Sequence, residues 1–222
     1  MSQVIVFDLD DTLYAESDFV LSGFREVGNW VRDVHGISGF YEAAEKLFLD
    51  GIRGTIFNEA STLLGMDSDQ HTIQTMLQLY RSHHPRISLY ADAVWALEYY
   101  GTVKRLGVIT DGYLETQKNK VQSLGIAGQI PCIVYSDEHG RENWKPSRIP
   151  YLKMMDYYDF QACEYVYVGD NPAKDFVAAN ELGWKTIRIN RRFGLYHHLP
   201  LDRSYEAHFV ISSLFELKNL ID

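Results

Sequence analysis

Three carboxylates and a hydroxyl end the apolar run in Val4-Ile5-Val6-Phe7-Asp8-Leu9-Asp10-Asp11-Thr12-Leu13. Four consecutive β-branched or aromatic residues read as a strand buried on both faces, as parallel sheets require. Charged groups cannot follow it into that core, so they belong where the strand emerges. In open α/β sheets the carboxyl ends of the strands are where ligands bind. Asp8 and Asp10 are two apart and would point the same way in extended backbone, with Asp11 pointing elsewhere. Two convergent carboxylates repel, and a bound divalent cation or a division into acid and base would hold them together. Asp10, Asp11 and Thr12 also suit turn and cap positions, so this stretch alone leaves both readings open.

Three later stretches could work with it. Thr110 ends an apolar run and precedes Asp111-Gly112, which brings a hydroxyl and two backbone N–H groups near a helix start, a combination that binds anions or merely caps the helix. Lys145 stands between Trp144 and Pro146, whose rigidity would hold its ammonium in place, although a loop lysine is ordinarily solvated. Gly169-Asp170-Asn171-Pro172-Ala173-Lys174-Asp175 again runs a buried strand into acidic residues, Asp170 at the strand terminus and Asp175 at a possible helix cap.

These groups need a sheet to gather them. Strands are expected at 4–7, 105–110, 130–135, 165–169, 185–189 and 208–211, with helices over 92–100, 113–124, 150–158, 175–182 and 213–220 between or after them. Strands alternating with helices at this spacing imply an α/β fold with a doubly wound parallel sheet. Residues 15–87 carry helical periodicity without a buried strand, as in Phe19, Val20, Phe24, Val27, Val31 and Val34, with Asp18 placed to cap that helix. The expected organisation is a core of residues 1–14 and 88–222, with a small α-helical domain over 15–87 inserted after the first strand.

With 222 residues and 46% hydrophobic content, the chain can bury a proper core. A formal net charge of -9 gives no bulk attraction to nucleic acid or to an anionic membrane, so an anionic substrate needs local positive charge. Cys132 and Cys163 fit no metal spacing and read as reduced, structural thiols. No leader-like segment and no run of spanning length is visible, so a cytoplasmic location is expected. His197-His198, beside Arg191 and Arg192, has no acidic partner at ligand spacing and reads as a solvated loop.

Taken in order, Asp8-x-Asp10-x-Thr12, strand-ending Thr110, Lys145-Pro146 and Gly169-Asp170-x4-Asp175 resemble the four motifs of the haloacid dehalogenase-like hydrolase superfamily, over the whole chain. The resemblance implies a Rossmann-like core and, from the place of the insert, a helical cap that selects the substrate. It implies that Asp8 attacks phosphorus to form an aspartyl-phosphate, and that Asp10 protonates the leaving oxygen and then takes a proton from water. Mg²⁺ would be held by Asp8, the backbone carbonyl of Asp10 and Asp170, with Asp175 acting mainly from behind them. Thr110, Asp111, Gly112 and Lys145 would hold the phosphoryl group.

The expected activity is Mg²⁺-dependent hydrolysis of a small phosphomonoester, a nucleotide or a sugar phosphate, by a monomer or homodimer with no nucleic-acid or membrane partner. Asp10 argues against dehalogenation, which does without a second aspartate. Phosphonate cleavage needs a cap lysine, and Lys46 is the only lysine in the insert. A phosphomutase shares all four motifs, and a non-catalytic phosphoacceptor or phosphate-binding module is the rival from another class. Within the insert, Arg53 is the first choice for a substrate contact, because Gly51 and Gly54 permit close approach.

Overall fold

The computed structural model describes residues 2–159, 163–192, 194 and 205–221; His197 and His198 lie outside them. Val4, Ile5, Val6 and Phe7 are all fully enclosed, as a strand covered on both faces must be. Burial of such side chains stabilises by about 1.5–3 kcal/mol each, so this strand anchors the sheet.

The described strands are β1 (Ser2–Phe7), β2 (Arg105–Thr110), β3 (Cys132–Tyr135), β4 (Cys163–Gly169), β5 (Lys185–Ile189) and β6 (Phe209–Ile211). They form one sheet in the order β3-β2-β1-β4-β5-β6, with every neighbouring pair parallel. The chain builds outward from β1 to β3, then crosses back to start β4 on the other side of β1. That reversal opens a crevice beyond the carboxyl ends of β1 and β4, where doubly wound folds place ligands.

The chain forms two compact units, Met1–Glu16 with Ser88–Asp222, and Ser17–Ile87. The helices are α1 (Glu16–His35), α2 (Phe40–Leu49), α3 (Ile56–Leu63), α4 (Gln70–Ser82), α5 (Ala91–Val103), α6 (Leu114–Leu124), α7 (Ile149–Tyr158), α8 (Val177–Glu181) and α9 (Lys218–Ile221). In the second unit, the Phe24 ring meets Phe48, Phe57 and Tyr80, each with centroids 6.0 Å away, and Asp69 caps α4 through the Thr72 N–H.

In the sheet unit, Val4 and Val6 of β1 pack with Tyr151, Met154 and Tyr158 of α7 and with Ala178 and Ala179 of α8. A Cβ at Gly107 would stand 2.6 Å from Met154 Sδ, so α7 approaches β2 as closely as it does only because that strand carries glycine there. Tyr165 stacks on Trp184 at 4.6 Å, and Tyr158 is buried as well, which makes these aromatics core.

Several boundaries differ from the sequence expectation. α1 starts at Glu16, whose N–H is taken by Asp11 Oδ1 at 2.9 Å, so Asp18 falls inside the first turn and caps nothing; Val34, in the last turn, is exposed. β3 starts at Cys132 because Ile126–Ile130 closes a turn, with the Gln129 and Ile130 N–H groups both donating to the Ile126 carbonyl. Residues 136–143 form two short 3₁₀ turns, Ser136–His139 and Arg141–Asn143. α8 begins at Val177, not 175, because the Lys174 and Asp175 N–H groups return to the Asn171 carbonyl. The last helix is a 3₁₀ turn, Leu214–Leu217, with a capping box on Ser213, running into α9. Among the described residues no helix is long and apolar enough to cross a membrane.

Candidate active site

The ladder continues one residue past β1, with the Asp8 N–H donating to the Val168 carbonyl at 2.8 Å. The backbone then turns, the Leu13 N–H reaching the Leu9 carbonyl and Asp11 adopting φ 51°. Strand alternation therefore stops after Asp8, and the two carboxylates engage different lysines, Asp8 with Lys145 and Asp10 with Lys120.

Lys145 is the centre of the first group. Its Nζ donates to Asp8 Oδ1 at 2.5 Å, to Asp175 Oδ1 at 2.8 Å and to the Tyr167 hydroxyl at 3.0 Å. Its side chain is wholly shielded from solvent, and those of Asp8 and Asp175 nearly so. Burial would strip the proton from this ammonium, but the charges of Asp175 and Asp8 outweigh it and hold Lys145 well above the ordinary lysine range. The Lys145 backbone N–H donates to Asp111 Oδ1, and Trp144 Nε1 donates to Asp137, so the loop is fixed from both sides.

Asp8, Asp170 and Asp175 bring one carboxylate oxygen each within 4.8 Å of one another. Asp175 is already committed, Oδ1 to Lys145 and Oδ2 to the Asn171 N–H, so it orients the group; a Cβ at Gly169 would meet that same Oδ2 at 2.5 Å. Asp170 is different: its Oδ2 is buried and has no hydrogen-bond partner among the described residues. Burial, then the charges of Asp175 and Asp8, push Asp170 well above the usual carboxylate range. Burial also raises Asp8 to about 7, against the downward pull of Lys145. Crowded, acceptor-only oxygens with one orphaned lone-pair site suit a hard divalent cation. The residues present therefore fit Mg²⁺, with Asp8 and Asp170 as side-chain ligands.

Asp10 lies in a second group. Its Oδ1 accepts from the Tyr14 hydroxyl and, at 2.7 Å, from Lys120 Nζ. Burial alone would raise its pKa, but the charge and hydrogen bond of Lys120, with Tyr14, hold it below the ordinary value. Thr110 is buried at the end of β2 and donates to Gln117 Oε1 at 2.9 Å. Gly112, at φ 125°, gives Gln117 its room, since a Cβ there would stand 2.4 Å from Gln117 Nε2. Asp111 joins the loops, taking the Lys145 N–H on one oxygen and lying 3.4 Å from Lys174 Nζ on the other.

The sheet thus gathers Asp8, Asp10, Thr110, Asp111, Gly112, Lys145, Asp170 and Asp175 on the loops beyond its carboxyl ends. Arg53 belongs to the other unit, where its guanidinium donates to the Phe48 and Ile52 carbonyls and lies over the Phe48 ring. Lys120, Tyr14 and Gln117 carry no motif and are not found by sequence reasoning, and Lys174 falls within the Gly169–Asp175 stretch without being singled out by it. The one available signal for Lys120 was its place on the buried face of α6 with Thr116, Gln117 and Val121.

Residues 5–189 match a family model described as haloacid dehalogenase-like hydrolase. The whole chain aligns at 31% identity with 97% of glyceraldehyde 3-phosphate phosphatase from Methanocaldococcus jannaschii. Over 84% of each protein it is 27% identical to ribulose-1,5-bisphosphate 5-phosphatase from Halopiger xanaduensis. The fold is similar to the crystal structure of 2-haloacid dehalogenase from Pseudomonas syringae pv. Tomato DC3000, with a TM-score of 0.66 and 22% identity over 99% of this chain and 97% of that one.

Proposed function

Because this chain belongs to the haloacid dehalogenase-like hydrolase family, we propose that it hydrolyses the phosphomonoester of a short-chain sugar through an aspartyl-phosphate on Asp8, with Mg²⁺ as cofactor. Family and relatives make it a phosphoric monoester hydrolase acting on a small phosphate. The sugar phosphate is favoured over a nucleotide because the relatives named above are phosphatases of a triose phosphate and a pentulose bisphosphate.

The observation that carries the reading is Lys145 held between Asp8 and Asp175, beside the orphaned oxygen of Asp170. An anionic nucleophile can approach an anionic phosphate only where positive charge is already in place. Lys145 supplies one such charge at the attacking oxygen itself, fixed before substrate arrives. Asp8 and Asp170, with the Asp10 carbonyl, would hold Mg²⁺, and the bound ion neutralises charge on the phosphoryl oxygens. Asp8 then forms a bond to phosphorus as the ester P–O bond breaks, and Asp10, which has to take up a proton against the pull of Lys120 before this step, gives it to the departing oxygen. In the second half Asp10 takes a proton from the water that attacks the aspartyl-phosphate, which releases phosphate and restores Asp8. The N–H groups of Asp111 and Gly112 orient the phosphoryl oxygens, Thr110 turns its hydroxyl hydrogen from Gln117 to the phosphoryl group when substrate arrives, and Asp111 keeps Lys145 in register.

The test is phosphate release from triose, pentose and hexose phosphates and from nucleotides, with Mg²⁺ and with excess chelator, for the wild type and Asp8→Asn. Metal-dependent release from sugar phosphates, abolished in D8N, supports the reading. Release that persists in D8N or in chelator overturns it.

A further inference from the structure

We infer that Lys120 and Tyr14 are positioning residues for Asp10, anchoring one of its carboxylate oxygens so that the other is presented for proton transfer to the leaving group. This rests on the proposed reaction and assigns its acid and base a support that none of the four motifs contains.

The two oxygens of Asp10 are in unlike circumstances. Oδ1 receives both donors, the Tyr14 hydroxyl and Lys120 Nζ. Among the described residues no hydrogen bond reaches Oδ2, and the side chain keeps 19% exposure while that of Lys120 keeps 3%. A carboxylate with two donors on one oxygen cannot rotate without breaking both, so its free oxygen has a defined direction. Asp10 lies in the turn closed by the Leu13 N–H on the Leu9 carbonyl, not in a strand, and the backbone alone would leave its side chain several rotamers.

The donors are themselves held. Tyr14 is fully buried, with its backbone bridged to Asp10 and Leu89. Lys120 projects from α6, whose first N–H, that of Leu114, is tied to Asp137 Oδ2 at 3.0 Å. Three residues earlier on the same helix, Gln117 takes the Thr110 hydroxyl. One face of α6 therefore fixes both the phosphoryl-binding hydroxyl and the proton-transfer group, and errors of about an ångström in such groups cost about a hundredfold in rate.

The experiment compares two substrates in three proteins. A sugar phosphate has a poor leaving group that must be protonated as the ester bond breaks, whereas an aryl phosphate expels a stabilised phenolate without that help. In wild type, Lys120→Met and Lys120→Arg, kcat/KM, which reports the first half-reaction, is measured for p-nitrophenyl phosphate and for the best sugar phosphate. Lys120→Met is expected to lose about 100-fold on the sugar phosphate and under about fivefold on the aryl ester, with Lys120→Arg recovering most of the loss.

Equal losses on both substrates would show a merely structural role and overturn the inference, as would unchanged kinetics. If Lys120→Met does not fold, Tyr14→Phe, which removes one hydroxyl, decides by the same ratio. A wild type inactive on both esters would refute the parent reading instead, and the two failures are thereby distinguished.

Discussion

Lys145 Nζ lies 2.5 Å from Asp8 Oδ1 in a place that solvent does not reach, although 137 residues separate them in the chain. Replacing Lys145 by Met would leave the charges of Asp8 and Asp175 uncompensated. Breaking such a buried pair on one side costs about 3–5 kcal/mol, and losing a preorganised charge at the reacting centre costs about 10²–10³ in rate. Lys145→Met should therefore show both a lower denaturant midpoint and a fall in kcat of that order, measured by urea titration and phosphate release. Unaltered stability would mean that the pair is not shielded as described.

Metal affinity should rise with pH through neutrality. In the metal-free protein Asp8 is raised to about 7 and Asp170 well above the usual range, so at pH 6 a cation must displace protons to bind. Calorimetry with Mg²⁺ should show proton release and an apparent affinity about tenfold weaker per pH unit below 7 for each proton displaced.

The same shifts set the sign for stability. Between the unfolded value near 4 and the folded value the native metal-free state binds more protons, so it should gain stability as pH falls from about 8 to about 5. Saturating Mg²⁺ should flatten that trend, and thermal melts with and without the ion would reveal it.

Asp92 gives the opposite pH dependence. It accepts from Arg191 at 2.7 and 3.0 Å, from the Ser213 hydroxyl at 2.8 Å and from the Leu214 N–H at 2.8 Å, while Arg191 also donates to the Thr12 carbonyl. Burial alone would raise Asp92, but these hydrogen bonds hold it below its ordinary value. Its contribution is present above the unfolded pKa near 4 and lost as pH falls through the lower folded value. Asp92→Asn should cost about 2 kcal/mol at pH 7, with the gap to wild type closing below about pH 4.

Gly112→Ala tests the proposed phosphoryl-binding role of the loop after β2. A side chain at φ 125° is strained by about 1–3 kcal/mol, and the new methyl would push Gln117 off the Thr110 hydroxyl. The expected result is a raised KM, and a raised inhibition constant for inorganic phosphate, with the Mg²⁺ affinity little changed. A variant with wild-type KM would show that Gln117 does not hold Thr110 in place.

Asp8, Thr110 and Asp170 were legible in the sequence because each ends an apolar run that can only be a buried strand, and a polar residue there has one place to go. Lys145 was legible through its motif neighbours. Lys120 was not. It sits among Lys118, Asn119 and Gln122, and although Val121 beside it is buried, a lysine in such company reads as a solvated side chain. Only the pairing of β1 with β2 and the packing of α6 bring it to Asp10, 110 residues away. β1 ends at Phe7 as expected, but a common direction for Asp8 and Asp10 requires extended backbone, and the hydrogen bonds after Phe7 make a turn instead.

The strand order also governs how the protein comes into being. β1 is first in chain order yet central, and it pairs with β2 a hundred residues later and with β4 some sixty beyond that. Until both arrive its two edges are open, and an apolar strand with open edges is prone to pair wrongly. Such distant pairings fold slowly, because loop closure precedes any reward from contact. During synthesis β1 therefore has to be kept from aggregation until Gly169 has left the ribosome, and the candidate site beyond its carboxyl end is complete only in the last part of folding.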